Sequence, residues 1–172
     1  DLLTPEAYYT RPIPLRNPIV FYEGHIPAFS VNTLIKRGFG RDGVDPALER
    51  LFARGIDPAD RSGVRNRGQE WPTRDDVRAY ASAADTAIEA VLAHDEIARS
   101  GQPVLDRAEG VYTLIEHEAT HQETLLYIWH QVPYDQKIVP GDARPLTQVT
   151  PDELRAGLDS DQLTCFFQPK VS

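Results

Sequence analysis

Fourteen prolines are spread through the 172 residues, and they cut the chain into segments that keep a helical period. None of these segments alternates apolar and polar residues as a half-buried strand would. The start signals are local. Asn17-Pro18 reads as an N-cap and first-turn pair ahead of Ile19, Val20, Ile26, Phe29 and Leu34, a pattern that continues to Gly38 with a bend expected at Pro27. Asp45-Pro46 repeats the signal before a short helix over Ala47 to Ala53, stopped by Gly55. Thr73 and Asp76 form a capping pair before a helix with an apolar stripe of Val77, Tyr80, Ala81, Ala84, Ile88, Val91 and Leu92, running to about Ala98. A second long helix is expected from near Asp106 to Gln131, ended by Pro133, and Thr150-Pro151 opens a last short one. Residues 1–16, with Pro5, Pro12 and Pro14, read as an irregular leading segment, residues 56–72 as a long surface loop, and Cys165 to Val171 as an extended tail. The expected fold class is all-α, a helical bundle.

The balance of charge and apolar residues removes several functions. With 26 acidic against 18 basic residues and a net charge of −8, binding to a phosphate backbone is not the expected task, so no nucleic-acid partner is predicted. No apolar run approaches the length of a membrane span and no signal peptide opens the chain, so no membrane partner is predicted either. A single cysteine, Cys165, forbids an intramolecular disulfide and fits a reducing compartment, which makes the cytoplasm the expected location. The length suits one domain with its own core. Position 1 is not Met, so the chain is expected to be a piece of a longer gene product.

Chemistry concentrates in Leu114-Ile115-Glu116-His117-Glu118-Ala119-Thr120-His121-Gln122-Glu123. His117 and His121 are four residues apart on a predicted helix, so both imidazoles share one side within reach of one metal ion. At roughly 100° per residue, they lie on or beside the apolar arc of Val111, Leu114, Leu125, Ile128 and Val132. Glu118 falls in the same arc, while Glu116, Glu123 and His130 fall opposite. A core-facing carboxylate needs a partner or a task, which makes Glu118 a candidate orienter, base or ligand. His25 offers a third nitrogen. Gly24 beside it allows a neighbouring helix to approach, and Phe21 and Phe29, one turn either side, would make its surroundings apolar. Three histidines leave coordination positions open for water, O2 or substrate. His94 reads as a partner of its helix's C-terminal dipole and His130 as a surface residue.

His-Glu-x-x-His is also the zinc-protease signature. Its extended form asks for Gly and His where this chain has Thr124 and Tyr127, and only Glu153 could serve as a later carboxylate ligand. Three other readings stay open beside it: simple core histidines, a structural metal-binding bundle, and a metal-dependent enzyme.

A Gly-His helix, followed much later by His-Glu-x-x-His-Gln-Glu-Thr-Leu and a Pro-Tyr stop, resembles the DinB-like domain of the ergothioneine- and ovothiol-type nonheme iron sulfoxide synthases. The resemblance covers about Leu15 to Lys137. Leu15 to His25 looks closer to the ovothiol branch and Gln122 to Leu126 to the ergothioneine branch. It implies an Fe(II) held by His25, His117 and His121, with Zn2+ the alternative on the donor set, and O2 as co-substrate. The implied reaction is sulfoxidation with C–S bond formation between a small-molecule thiol and a histidine derivative's imidazole. It further implies a DinB-like metal-binding bundle over residues 17–137, lacking the first helix such bundles have. Residues 138–172 would be a linker with a short helix, leading to a formylglycine-generating-enzyme-like domain of the same gene product. Thr120 stands where ergothioneine synthases use Gln to contact substrate. Arg61, Arg65 and Arg67 could hold an acidic thiol by carboxylate pairing, or form a solvated basic loop. Within the same fold, the alternative activity is a divalent-metal-dependent low-molecular-weight thiol S-transferase.

Overall fold

A computed structural model describes residues 2–53 and 70–138 together with Asp152, Arg155 and Ala156. The chain divides into two compact units, Asp1–Ile138 and Val139–Ser172. Among the described residues the first unit is helical and has no strand; its one extended pairing is an isolated bridge between Leu3 and Lys137. In the second, Asp152, Arg155 and Ala156 are helical, and Arg155 pairs with Asp152 at 3.2 Å. Thr150-Pro151, Gly55, the Cys165 to Val171 tail and most of the 56–72 loop, including Arg61, Arg65 and Arg67, lie outside the described residues.

Helix α2 (Ile19–Ser30) is the centre of the bundle, and α1 (Pro5–Tyr9), α3 (Pro46–Phe52), α4 (Arg74–His94) and α5 (Glu109–Gln131) all pack against it. The reason is in its composition. Val20, Phe21, Tyr22, Gly24, His25, Pro27 and Ala28 are buried, so α2 is covered on every side instead of along one stripe. Their neighbours in the core include Tyr8, Leu34, Phe52, Val77, Tyr80 and Ile128.

The local signals place most helix ends. Asp45 caps α3, its Oδ1 accepting from the N–H groups of Ala47 at 2.8 Å and Leu48 at 3.0 Å, with Pro46 in the first turn. Thr73 caps α4 by accepting from Asp76 N at 3.2 Å. α4 ends at His94, four residues short of the expected Ala98.

Other boundaries differ from the sequence reading. Pro18, not Asn17, occupies the N-cap position of α2, with an extended ψ of 165°. The leading segment read as irregular contains α1, because Thr4 accepts from Ala7 N and Pro5 supplies the first turn. The helix runs through Pro27, and the change of geometry comes downstream, where Val31–Gly38 forms a π-helix. Before α5, a 3-10 turn at Asp106–Ala108 carries two left-handed residues, Arg107 at φ 50° and Ala108 at φ 61°. Gly110 follows because a Cβ there would press on Val104, 2.7 Å from its Cγ1.

Candidate metal centre

His25 projects from the middle of α2, and His117 and His121 from successive turns of α5. The fold brings all three together, with one ring nitrogen of each within 4.8 Å of the others. The Nε2 atom of His117 lies 3.1 Å from that of His25 and 3.0 Å from that of His121. His25 and His121 are buried and His117 is partly buried.

Protons alone do not account for this convergence. His25 Nδ1 donates to the carbonyl oxygen of Phe52 at 2.6 Å, so in the neutral ring its Nε2 carries the lone pair. An imidazole nitrogen has a single in-plane site, filled by either a proton or a lone pair, so His117 Nε2 can direct a well-aligned hydrogen bond at only one of His25 and His121. A cation among the three lone pairs resolves the conflict. With metal–nitrogen bonds of about 2.0–2.1 Å, two ligands at right angles would sit about 2.9 Å apart and two at the tetrahedral angle about 3.3 Å apart, a range that brackets the observed pairs.

Electrostatics favour the same state. Burial lowers the pKa of His25, against the opposing pull of the Phe52 carbonyl. Burial first, then the neighbouring His121 and His25, push His117 down to about 3, and burial with His25 pushes His121 down to about 4. All three rings are therefore neutral near pH 7, the form that binds metal. The donor set thus fits a divalent first-row cation; three imidazoles suit Fe(II) and Zn2+ alike.

The walls of the centre are aromatic. Phe21 stacks on His25 at 4.9 Å and 17°, Phe29 stacks on His117 at 3.6 Å and 9°, and Tyr22 lies 5.5 Å from His121. The Nδ1 of His121 is buried and, among the described residues, has no hydrogen-bond partner.

The structure does not bring Glu118 into this group. It is exposed, next to Asp85 of α4, whose pKa is raised by burial, then by Glu89 and Glu118. The core-facing arc of α5 is centred on His121, Thr124 and Ile128, with Gly110 and Val132 also buried. Thr124 is polar, so an arc drawn through apolar residues alone was turned toward Val111 and Leu125 and took in Glu118. His130 is exposed as expected, and His94 is the last residue of α4. Phe52 was missed as a functional position, because its contribution is a backbone carbonyl and carries no side-chain signature.

The sequence profile of the DinB superfamily matches residues 1–125, which contain every histidine of the centre. The chain belongs to the DinB superfamily. The DinB chain is also 31 % identical over 145 residues to Ergothioneine biosynthesis protein 1 of Neurospora crassa, covering 81 % of this chain and 16 % of that protein. It is 33 % identical over 138 residues to Ergothioneine biosynthesis protein 1 of Schizosaccharomyces pombe, covering 76 % of this chain and 17 % of that protein. It thus spans about a sixth of the length of these curated relatives. No helix among its described residues is long and apolar enough to cross a membrane.

Proposed function

We propose that this DinB bundle is the metal-binding part of a nonheme Fe(II), O2-dependent sulfoxide synthase. In this reading His25, His117 and His121 are the protein ligands, and the reaction joins a small-molecule thiol to the imidazole of a histidine derivative in thiohistidine biosynthesis. The observation that carries it is the approach of three Nε2 atoms that hydrogen bonding cannot satisfy together. The names of the two fungal relatives, both ergothioneine biosynthesis proteins, support the choice of pathway. Residues 17–137 are read as the metal-binding bundle and 138–172 as a linker toward a second domain of the same gene product.

When bound, the ion would supply a Lewis-acidic, redox-active centre for O2 and thiol. The chain's own part is to present neutral imidazoles from two helices, to fix the His25 tautomer through Phe52, and to wall the centre with Phe21, Tyr22 and Phe29. Among the described residues no fourth side chain joins the three histidines. Three protein donors are the count of sites that keep a position for water or substrate, in contrast to closed structural sites.

The test is anaerobic Fe(II) titration of the metal-stripped chain, with oxygen uptake measured in the longer gene product using thiols and histidine betaine. One-to-one iron binding, lost in each of His25→Ala, His117→Ala and His121→Ala but kept in His130→Ala, is expected, together with thiol-dependent oxygen uptake. Equal metal retention in all four variants overturns the ligand set. Tight Zn2+ binding without oxygen uptake would instead favour a thiol S-transferase or a structural ion.

A further inference from the structure

Phe21, His25 and Phe29 follow one another at intervals of four residues along α2, so one face of that helix presents a ligand between two aromatic rings. The two rings do different work. Phe21 lies against His25, on its own helix. Phe29 reaches across to α5 and covers His117 nearly face to face, with ring centroids 3.6 Å apart and planes only 9° from parallel.

Two features make the second stack informative. The first is that His117 lacks the usual restraint. A metal-binding imidazole commonly donates its other ring N–H to a carbonyl or carboxylate, which fixes its orientation; His25 does so toward Phe52. Among the described residues no group hydrogen-bonds the Nδ1 of His117, and rotation about its Cβ–Cγ bond is intrinsically broad. A ring lying flat at 3.6 Å blocks that rotation, because turning the imidazole edge-on would drive it into Phe29.

The second is the geometry of the stack. Two neutral aromatic rings prefer an offset or edge-to-face arrangement, with centroids about 4.5–7 Å apart, because both faces are electron-rich. The closely superposed pair here suits an imidazole from which electron density is withdrawn, since a positive ring is drawn to the face of a benzene ring. Coordination through Nε2 would withdraw that density.

We propose that Phe29 is a positioning residue of the metal centre, holding the plane of the His117 ring by stacking where His25 is held by a hydrogen bond. This rests on the metal-centre reading above. The stack fixes the plane of the ring, and the neighbouring His25 and His121 select which nitrogen faces the centre. Its attraction grows when His117 is coordinated, so it contributes to metal affinity and not only to packing. Phe29 is only partly buried, which leaves room to change it without opening the core.

The test uses the full chain as wild type, Phe29→Leu and Phe29→Tyr, each titrated anaerobically with Fe(II) and with Co(II), whose visible absorption reports ligand geometry. Phe29→Leu should bind about two- to tenfold more weakly, the range expected for loss of one aromatic pair, with an altered Co(II) spectrum. Phe29→Tyr keeps the ring and should restore both. Proton NMR of the wild-type chain gives a second readout that needs no variant: the His117 ring protons should be shifted upfield by the overlying benzene ring. Wild-type affinity and spectrum in Phe29→Leu, or unshifted His117 ring protons, would overturn the proposal while leaving the three-histidine centre intact. Failure of the wild-type chain to bind either metal would overturn the centre itself, and the positioning role with it.

Discussion

The Nδ1 of His25 on α2 is held 2.6 Å from the carbonyl oxygen of Phe52, the last residue of α3. A carbonyl at a helix C-terminus has no intrahelical partner, so α3 satisfies one of its own orphan acceptors by orienting the His25 ring. The contact depends on how closely α3 lies on α2. Gly24, next to His25, is where the Phe52 ring sits, and a Cβ at that position would overlap the ring.

Gly24→Ala is therefore expected to destabilise the chain even though alanine is the better helix former. The helix propensity gain is at most about 1 kcal/mol, whereas forcing a methyl group into a filled contact costs about 1–3 kcal/mol. Urea denaturation of the metal-free protein should show a net loss. Metal titration should show weaker binding, because displacement of Phe52 takes the carbonyl away from His25. A more stable variant with unchanged affinity would mean that α3 can shift without cost.

The metal-free bundle should lose stability on acidification in a window set by its histidines. Their folded pKa values lie below the unfolded value near 6.5, with His117 at about 3 and His121 at about 4. Between these limits the unfolded chain binds more protons than the folded one, so stability rises with pH and falls as the pH drops below about 6.5. The loss continues until the folded rings themselves protonate. Denaturation midpoints measured from pH 7.5 to 4 should show this slope, and His117→Gln should flatten it. Parallel profiles for the two proteins would contradict the assignment.

Glu49 predicts a structural loss separable from the metal centre. Its side chain is fully buried. Oε2 pairs with Lys36 at 3.0 Å, and Oε1 accepts from the N–H groups of Val44 at 2.6 Å and Asp45 at 3.0 Å. Glu49→Ala leaves two backbone donors unsatisfied, while the partly exposed Lys36 can return to water. A cost of about 2–3 kcal/mol is expected, with one-to-one metal binding retained. A change below about 0.5 kcal/mol would show that the loop before α3 rearranges to satisfy itself.

Glu118→Gln should leave metal affinity within about twofold of wild type, a difference of less than about 0.5 kcal/mol, because Glu118 is exposed and outside the histidine group. Its effect should fall on Asp85, whose raised pKa owes part of its shift to Glu118. Removing that charge should lower the Asp85 pKa, as read by NMR titration. A large loss of metal binding would return Glu118 to the centre.

What the sequence disclosed follows the range of the interactions involved. Asp45 and Thr73 cap helices through atoms two or three residues away, and the spacing of His117 and His121 is fixed by a single helical turn, so these features were legible. His25 is a candidate third member of the histidine group on sequence alone, but its approach to the pair depends on α2 and α5 packing together. The face of α5 that holds Glu118 was misjudged because Thr124, a polar residue, lies at the centre of the buried arc. The contacts least visible in advance were the Phe52 carbonyl, which every residue type possesses, and Phe29. Phe29 does line His25, 6.3 Å away as its position one turn along α2 suggests, but its face lies flat on His117, which that position does not disclose.

His25 and His117 are separated by 92 positions in the chain. An ion bound to both would close the intervening polypeptide into a ring, and with it α3, α4 and the loop between them. While the coordination bonds hold, α3 and α4 could fray without α2 and α5 drifting apart, since the tie does not pass through them. The longer the ring that a retained ion closes in the unfolded chain, the smaller the entropy recovered on melting, so loading the centre would alter the connectivity of the molecule as well as its contacts.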